Sequence, residues 1–222
     1  MPLSVRLRER AAPIWEREQA HPFVRGLGDG TLEPDRFRVW LRQDYLFLIE
    51  YARVLAMAAA RAEDLETQAR FSDLLQATLR TEMDLHRRYA RRFGISEADL
   101  ERTAPAPTTQ AYTDFLVRVA LQGPLAAIVA SLLPCAWGYA EIARRLVRPG
   151  GAPEGSPYAE WIRAYSSREF GEYADWLKDL LDRLADGAPD REQERLTRIF
   201  LTSSRYEYLF WEMCHCKSSW PV

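Results

Sequence analysis

The stretch VALQGPLAAIVASLLPCAWGYA, residues 119–140, carries no charge over 22 positions between Arg118 and Glu141. It is long enough to cross a bilayer. Gln122, Gly123, Pro124, Pro134 and Gly138 interrupt it, no stop-transfer pattern flanks it, and no second such run exists in the chain. A helix surrounded on all sides by other helices has the same signature. That reading is adopted here: a core helix from Pro124 to about Val147, with no membrane partner.

Outward from this segment the periodicity is helical almost everywhere, and strand-like alternation is nearly absent. Glu33-Pro34-Asp35 opens a helix, with the proline where a first turn tolerates it. Phe37, Trp40, Leu41, Tyr45, Leu48, Tyr51, Ala52 and Leu55 then recur at three- and four-residue spacing up to about Arg61. A second helix is predicted from Asp64 to Phe93, stopped by Gly94 in a left-handed cap. Ser96-Glu97-Ala98-Asp99 reads as the capping box of a short helix. Thr103 to Thr109 reads as a loop, followed by a helix from Gln110 to Leu121. Pro149, Gly150, Gly151, Pro153, Gly155 and Pro157 mark a second break. Helices from Pro157 to Phe170 and from Glu172 to Ala185, parted at Gly171, precede a last one from Asp190 to about Cys216. Both loops are too short for domain linkers, and no repeat is visible. The expectation is one all-α domain over residues 1–222, a bundle of about eight helices.

Composition narrows the function. Hydrophobic residues make up 47% and charged residues 28%, a globular profile rather than a disordered one. Thirty Lys and Arg against 32 Asp and Glu give a net charge of −2, without the basic excess of a nucleic-acid binder. Three cysteines make no disulfide framework, which points to a reducing cytoplasm. Met1 to Arg25 is rich in charge and lacks the apolar segment of a secretory signal.

In a helical bundle a site is assembled from polar side chains on otherwise apolar faces. Asp44 shares a face with Phe47, Leu48 and Tyr51, so its carboxylate is either paired or functional, unless it lies at the surface beside Arg42. Cys135 lies in the uncharged helix one turn before Tyr139, and no neighbour in sequence favours its thiolate; a small buried hydrophobe is the alternative. Tyr112 and Tyr165 are aromatic candidates that also suit core packing. Glu207 lies four residues before Trp211 and four after Ser203. Aromatic walls there favour the neutral acid, whereas a salt bridge to one of several arginines is the simpler account. Cys214-His215-Cys216 lacks a second ligand pair, and Glu82 and His86 are spaced i, i+4 rather than Glu-x-x-His, so no metal and no haem is expected. His21 precedes Pro22 and shapes a turn. Gly26-Leu27-Gly28-Asp29-Gly30 lacks the Lys-Ser/Thr of a phosphate cradle.

Taken in order, several motifs resemble one family. They are His21-Pro22-Phe23-Val24, Gly28-Asp29-Gly30-Thr31-Leu32, Gln43-Asp44-Tyr45-Leu46 with Tyr51-Ala52, Glu82 with His86, and Leu133-Pro134-Cys135-Ala136-Trp137. Trp161-Ile162 with Tyr165, and Ser203-Ser204-Arg205-Tyr206-Glu207-Tyr208 with Phe210-Trp211, complete the set. The chain resembles the TenA (thiaminase II) family from about residue 5 to residue 217. The resemblance implies a haem-oxygenase-like all-α fold without haem or other cofactor, assembled as a homotetramer. Members with a cysteine in the core helix hydrolyse aminopyrimidines to 4-amino-5-hydroxymethyl-2-methylpyrimidine for thiamin salvage, and also cleave thiamin. Carried over by motif, Cys135 is the nucleophile and Glu207 the acid/base. Asp44 binds the aminopyrimidine edge, and Phe47, Tyr51, Tyr112, Tyr139 and Tyr165 are substrate-binding positions.

One position departs from the family pattern. Phe47 stands where the family usually has a tyrosine beside the nucleophile, and it has no hydroxyl to offer Cys135. The expectation is a slower reaction, or a contact taken over by Tyr45 or Tyr139. A non-catalytic pyrimidine-binding or regulatory protein on the same scaffold is the alternative function. An oxygen-using enzyme related to pyrroloquinoline quinone synthesis is a second, disfavoured by the few histidines and by the presence of both Cys135 and Glu207.

Overall fold

Prolines and short polar side chains set where these helices begin. The computed structural model describes residues 1–147 and 152–221. In chain order the helices are α1 (Leu3–Gln19), α2 (Pro22–Asp29), α3 (Pro34–Arg61), α4 (Leu65–Ala77), α5 (Met83–Arg92), α6 (Glu97–Glu101), α7 (Pro107–Gln122), α8 (Leu125–Val147), α9 (Ala159–Tyr165), α10 (Arg168–Leu184) and α11 (Asp190–Cys216). A π-helical turn, Thr78–Glu82, joins α4 to α5. The described residues contain no strand. Pro22 and Pro107 occupy first-turn positions, where a missing N–H costs nothing. Asp64, Ser96 and Ser167 cap α4, α6 and α10, and Ser96 and Asp99 complete the capping box.

The chain divides into two units. One comprises Pro34–Ile128 with Cys216–Val222, and α3 is its spine, packed by α4, α5 and α7. Gln43 fastens the start of α7 to α3. Its Nε2 donates to the Ala104 carbonyl at 3.1 Å, and its Oε1 accepts from the Ala106 N–H at 2.9 Å and the Thr109 hydroxyl at 2.7 Å. Phe37, Trp40, Tyr89 and Phe93 pack together between α3 and the end of α5, with ring centroids 4.9 to 5.6 Å from Phe37.

The other unit comprises Met1–Glu33 and Val129–His215. Here α1 packs on α2 and α10, and α9 on α10. Ser4 gives its N–H and its hydroxyl to the Asp182 carboxylate, at 2.7 and 2.6 Å. Trp15 donates to the Ser204 hydroxyl at 3.1 Å and meets Trp137 edge-on at 5.2 Å, which ties α1 to α11 and α8. Of the most apolar window of α8, 83% is buried within the protein, as the core-helix reading requires.

Several boundaries differ from the sequence expectation. Residues 3–29, where no helix was expected, form α1 and α2, so the helices among the described residues outnumber the expected eight. The helix expected from Asp64 to Phe93 is interrupted by the π turn, which periodicity does not signal, although Gly94 stops it with φ +74°. The loop expected over Thr103 to Thr109 is shorter, because Pro107 starts α7. The break expected at Gly171 falls instead at Ser166 and Ser167, where the Ser167 hydroxyl accepts the Phe170 N–H. Gly171 lies inside α10, with the Arg144 guanidinium packed against it. Pro149, Gly150 and Gly151 of the expected second break lie outside the described residues.

Gln43→Ala strips the buried Ala106 N–H of its acceptor, and an unmet buried donor costs about 1–3 kcal/mol. Urea unfolding is expected to show a loss of that size, with the m-value unchanged.

Candidate active site

On α3, Asp44, Phe47 and Tyr51 follow the predicted three- and four-residue spacing, and all three are buried. The face meets Tyr112 of α7. Phe47 lies 5.1 Å from the Tyr112 ring and 5.7 Å from that of Tyr51, forming an aromatic wall beside one carboxyl. Gln43, one residue before Asp44, is the clamp that holds the start of α7, so the same turn of α3 sets the register of Tyr112.

Asp44 is not a surface acid beside Arg42. Its Oδ2 lies 2.5 Å from Nε2 of His86, on α5, and both side chains are almost wholly enclosed. His86 Nδ1 lies 3.0 Å from the Glu82 carbonyl, which only accepts, so Nδ1 bears a hydrogen and donates. One proton is then held between Nε2 and the carboxylate in a short, charge-assisted contact. The Trp40 ring covers the imidazole at 5.3 Å. Burial pushes the His86 pKa down, but the hydrogen bond and the charge of Asp44, with Glu82 behind them, outweigh it and hold it above the ordinary 6.5. The π turn ends at Glu82, whose backbone oxygen is the one that anchors His86. Glu82 and His86 thus meet through a carbonyl rather than as a ligand pair, and no group of three His, Cys, Asp or Glu suited to a metal occurs among the described residues.

In the other unit, Cys135 is half-buried on α8, one turn before the buried Tyr139. Tyr139 lies 5.1 Å from Tyr165 of α9, 5.8 Å from Trp161 and 5.1 Å from Trp211 of α11. Glu207, one turn before Trp211, is 4% exposed. Two serines on α11 set its position. Ser203 donates to the Ser131 carbonyl at 2.6 Å, in the turn of α8 that precedes Cys135 and contains Pro134, while Ser204 accepts from Trp15. Tyr45, named as a substitute for the missing tyrosine hydroxyl, bonds to the Arg87 guanidinium. His21 shapes the turn as expected: its Nδ1 accepts the Phe23 N–H at 3.1 Å and caps α2, and its Nε2 lies 2.9 Å from Glu212.

The sequence does not reveal His86 as the partner of Asp44, since the Glu82–His86 spacing suggests a metal motif or a family resemblance but no contact with α3. It also leaves Glu18 unremarked, although Leu7, Ala11, Trp15 and Glu18 recur at helical spacing and are all buried.

Because the imidazolium is stabilised in the folded state, its contribution is complete below pH 6.5 and is lost as pH rises through the higher folded value. Thermal unfolding of the parent is expected to show that decline above pH 6.5, and His86→Gln is expected to abolish it.

Residues 8–217 match the model of the TENA/THI-4/PQQC family. The aminopyrimidine aminohydrolase of Halalkalibacterium halodurans is 48% identical over 220 residues, 99% of this chain and 98% of that protein. That of Helicobacter pylori is 39% identical over 97% of this chain and 99% of its own. Among solved structures, a TenA homologue from P. horikoshii superposes with a TM-score of 0.89 at 29% identity, covering 97% of this chain and 99% of its own. The haem oxygenase of Leptospira interrogans shares the fold alone, with a TM-score of 0.58 at 15% identity, over 95% of this chain and 98% of its own. The chain belongs to the TENA/THI-4/PQQC family.

Proposed function

We propose that this protein is an aminopyrimidine aminohydrolase. It converts 4-amino-5-aminomethyl-2-methylpyrimidine and water to 4-amino-5-hydroxymethyl-2-methylpyrimidine and ammonia, returning the pyrimidine to thiamin synthesis, and it also cleaves thiamin. The observation that carries this reading is the similarity, 48% and 39% identical over nearly the whole chain, to proteins of that name. The buried Asp44–His86 pair and the aromatic walls around Phe47 and Tyr139 support it.

In this mechanism Asp44, oriented by the His86 imidazolium, accepts hydrogen bonds from the aminopyrimidine edge. Phe47, Tyr51 and Tyr112 stack on the ring, while Tyr139 and Tyr165 surround the acid/base. Glu207 protonates a ring nitrogen as the Cys135 thiolate forms a bond to an electron-poor ring carbon. The proton returns through Glu207 to the amine as the exocyclic C–N bond breaks, and ammonia leaves. Water then gives its hydroxyl to the methylene and a proton to the ring. Cleavage of the S–C bond restores the thiolate, and the ring proton returns to Glu207. No cofactor enters the cycle.

We also propose that the protein works in the cytoplasm as a homotetramer, with no nucleic-acid or membrane partner. Three unbridged cysteines and a net charge of −2 support the compartment and the absence of a nucleic-acid partner. Exposed Leu65, Leu79 and Leu121 offer apolar surface for a neighbouring copy to cover. Light scattering is expected to give a mass of four 25.7 kDa chains.

Ammonia release from the aminomethylpyrimidine tests the chemistry. Cys135→Ser and Glu207→Gln are each expected to lower kcat by at least ~10²-fold. Binding by the parent without turnover would select the regulatory alternative. Phe47→Tyr places a hydroxyl on the wall and is expected to raise kcat severalfold; an unchanged kcat would show that this hydroxyl has no part in the reaction here.

A further inference from the structure

The mechanism leaves one buried acid without a role. Glu18, in the last turn of α1, is 2% exposed, and its Oε1 makes no hydrogen bond. A carboxyl withdrawn from water is costly unless hydrogen-bond donors or a cation answer it, and an unmet one in a native interior has a reason to be there. The cation nearest in the chain is committed elsewhere. Arg8, on the same helix, pairs at two points with Glu141 of α8, at 3.1 and 2.9 Å, and lies 4.6 Å over the Trp15 ring.

The surroundings of Glu18 supply the reason. A Cβ placed on Gly138 of α8 would lie 3.9 Å from Glu18 Oε2, an ordinary contact. Among the described residues it would meet nothing else within 4 Å beyond its chain neighbours and its own helix backbone. Gly138 is itself buried, so the room beside the carboxyl lies inside the protein. Cys135, half-buried, is three residues earlier on α8 and therefore on the same face, with side-chain positions about 5–6 Å apart. Thiol, room and unmet carboxyl follow one another along a single face of α8.

A ligand that answers Glu18 must bring its own positive charge, and both proposed substrates do. 4-Amino-5-aminomethyl-2-methylpyrimidine carries an ammonium on its exocyclic methylene at neutral pH. Thiamin carries its thiazolium nitrogen on the same carbon. The product has a neutral hydroxyl there.

We propose that Glu18 is the leaving-group subsite, its carboxyl receiving the cationic nitrogen on the exocyclic methylene while the pyrimidine ring sits at Cys135. The inference deepens the proposed hydrolysis and rests on the reading of Cys135 as its nucleophile. That nitrogen stands two bonds off the ring, a reach suited to a group one helical turn from the sulfur. Glu18 makes and breaks no covalent bond. Ammonium with carboxylate and amine with carboxylic acid hold the same protons, so the nitrogen still leaves as ammonia by the step given above. Burial first and the charge of Glu207 second push the Glu18 carboxyl above the usual carboxylate range, Glu141 adding to them and Arg8 opposing. A cation bound at the carboxyl acts in the same sense as Arg8. Hydrolysis removes that cation, which loosens the hold on the product.

Calorimetric binding to the full chain carrying Cys135→Ser, where turnover does not disturb the measurement, tests the subsite. Adding Glu18→Gln is expected to weaken the aminomethylpyrimidine by ~10-fold or more, because a charge-assisted contact is lost. The neutral hydroxymethyl product is expected to change less than about twofold, and Glu18→Asp, which keeps the charge, to retain part of the preference. Without ligand, Glu18→Gln is expected to leave Tm unchanged or raised, since no partner in the protein is lost. Equal weakening of both pyrimidines with a lowered Tm would show a structural role and overturn the subsite, as would affinities that do not change. Loss confined to the cationic ligand, in a protein whose parent turns over no pyrimidine, would sink the hydrolysis and leave the subsite. Turnover by the parent with no such selective loss would do the reverse, and binding of neither pyrimidine would end both.

Discussion

A carboxyl group withdrawn from water must find a proton or a hydrogen-bonded cation, and the interior of this protein is arranged around that requirement. Asp44 meets it with His86, whose second nitrogen is anchored on a backbone carbonyl so that the ring cannot turn away. Glu141 meets it with both arms of Arg8. Glu18 is enclosed as well, and burial pushes its carboxyl well above the usual carboxylate range. Acids that share one helical architecture thus differ in the partners that their neighbours offer them.

Weak individual forces give these groups their places. Serine hydroxyls join helices by single hydrogen bonds, as Ser203 and Ser204 do from adjacent positions on α11 toward α8 and α1. Tryptophan and tyrosine rings fill the space between, with centroids near 5 Å around Tyr139 and around Phe37. Large rings exclude water at little conformational cost, which raises the stakes for every polar atom they enclose. Glutamine serves the same end: Gln43 satisfies three groups at the mouth of α7 and thereby presents Tyr112 to Phe47.

Much of this was legible in the chain. Period-three-and-four patterns located α3, because a long helix with one buried face repeats its signal over many turns, and an uncharged run located α8. Capping residues located α6, and Gly94 the end of α5, since those signals are local and chemical. Short elements were less visible. α1 is masked by its many charges, α2 is only eight residues long with two glycines in it, and the π turn has no residue signature. At Gly171 the glycine suggested an end, but α10 runs through it with the Arg144 guanidinium packed alongside. For the site, helical spacing placed Phe47 and Tyr51 with Asp44, and Tyr139 with Cys135.

The sequence by itself determined the all-α class, the family, and which side chains share each helical face, because those follow from spacing along one chain. Tertiary structure alone decided which polar group answers which. His86 lies 42 residues from Asp44 and Ser203 lies 72 from Ser131. Partners so far apart are chosen by how helices pack and by the charge each cavity tolerates, and no periodicity along a single helix records that choice.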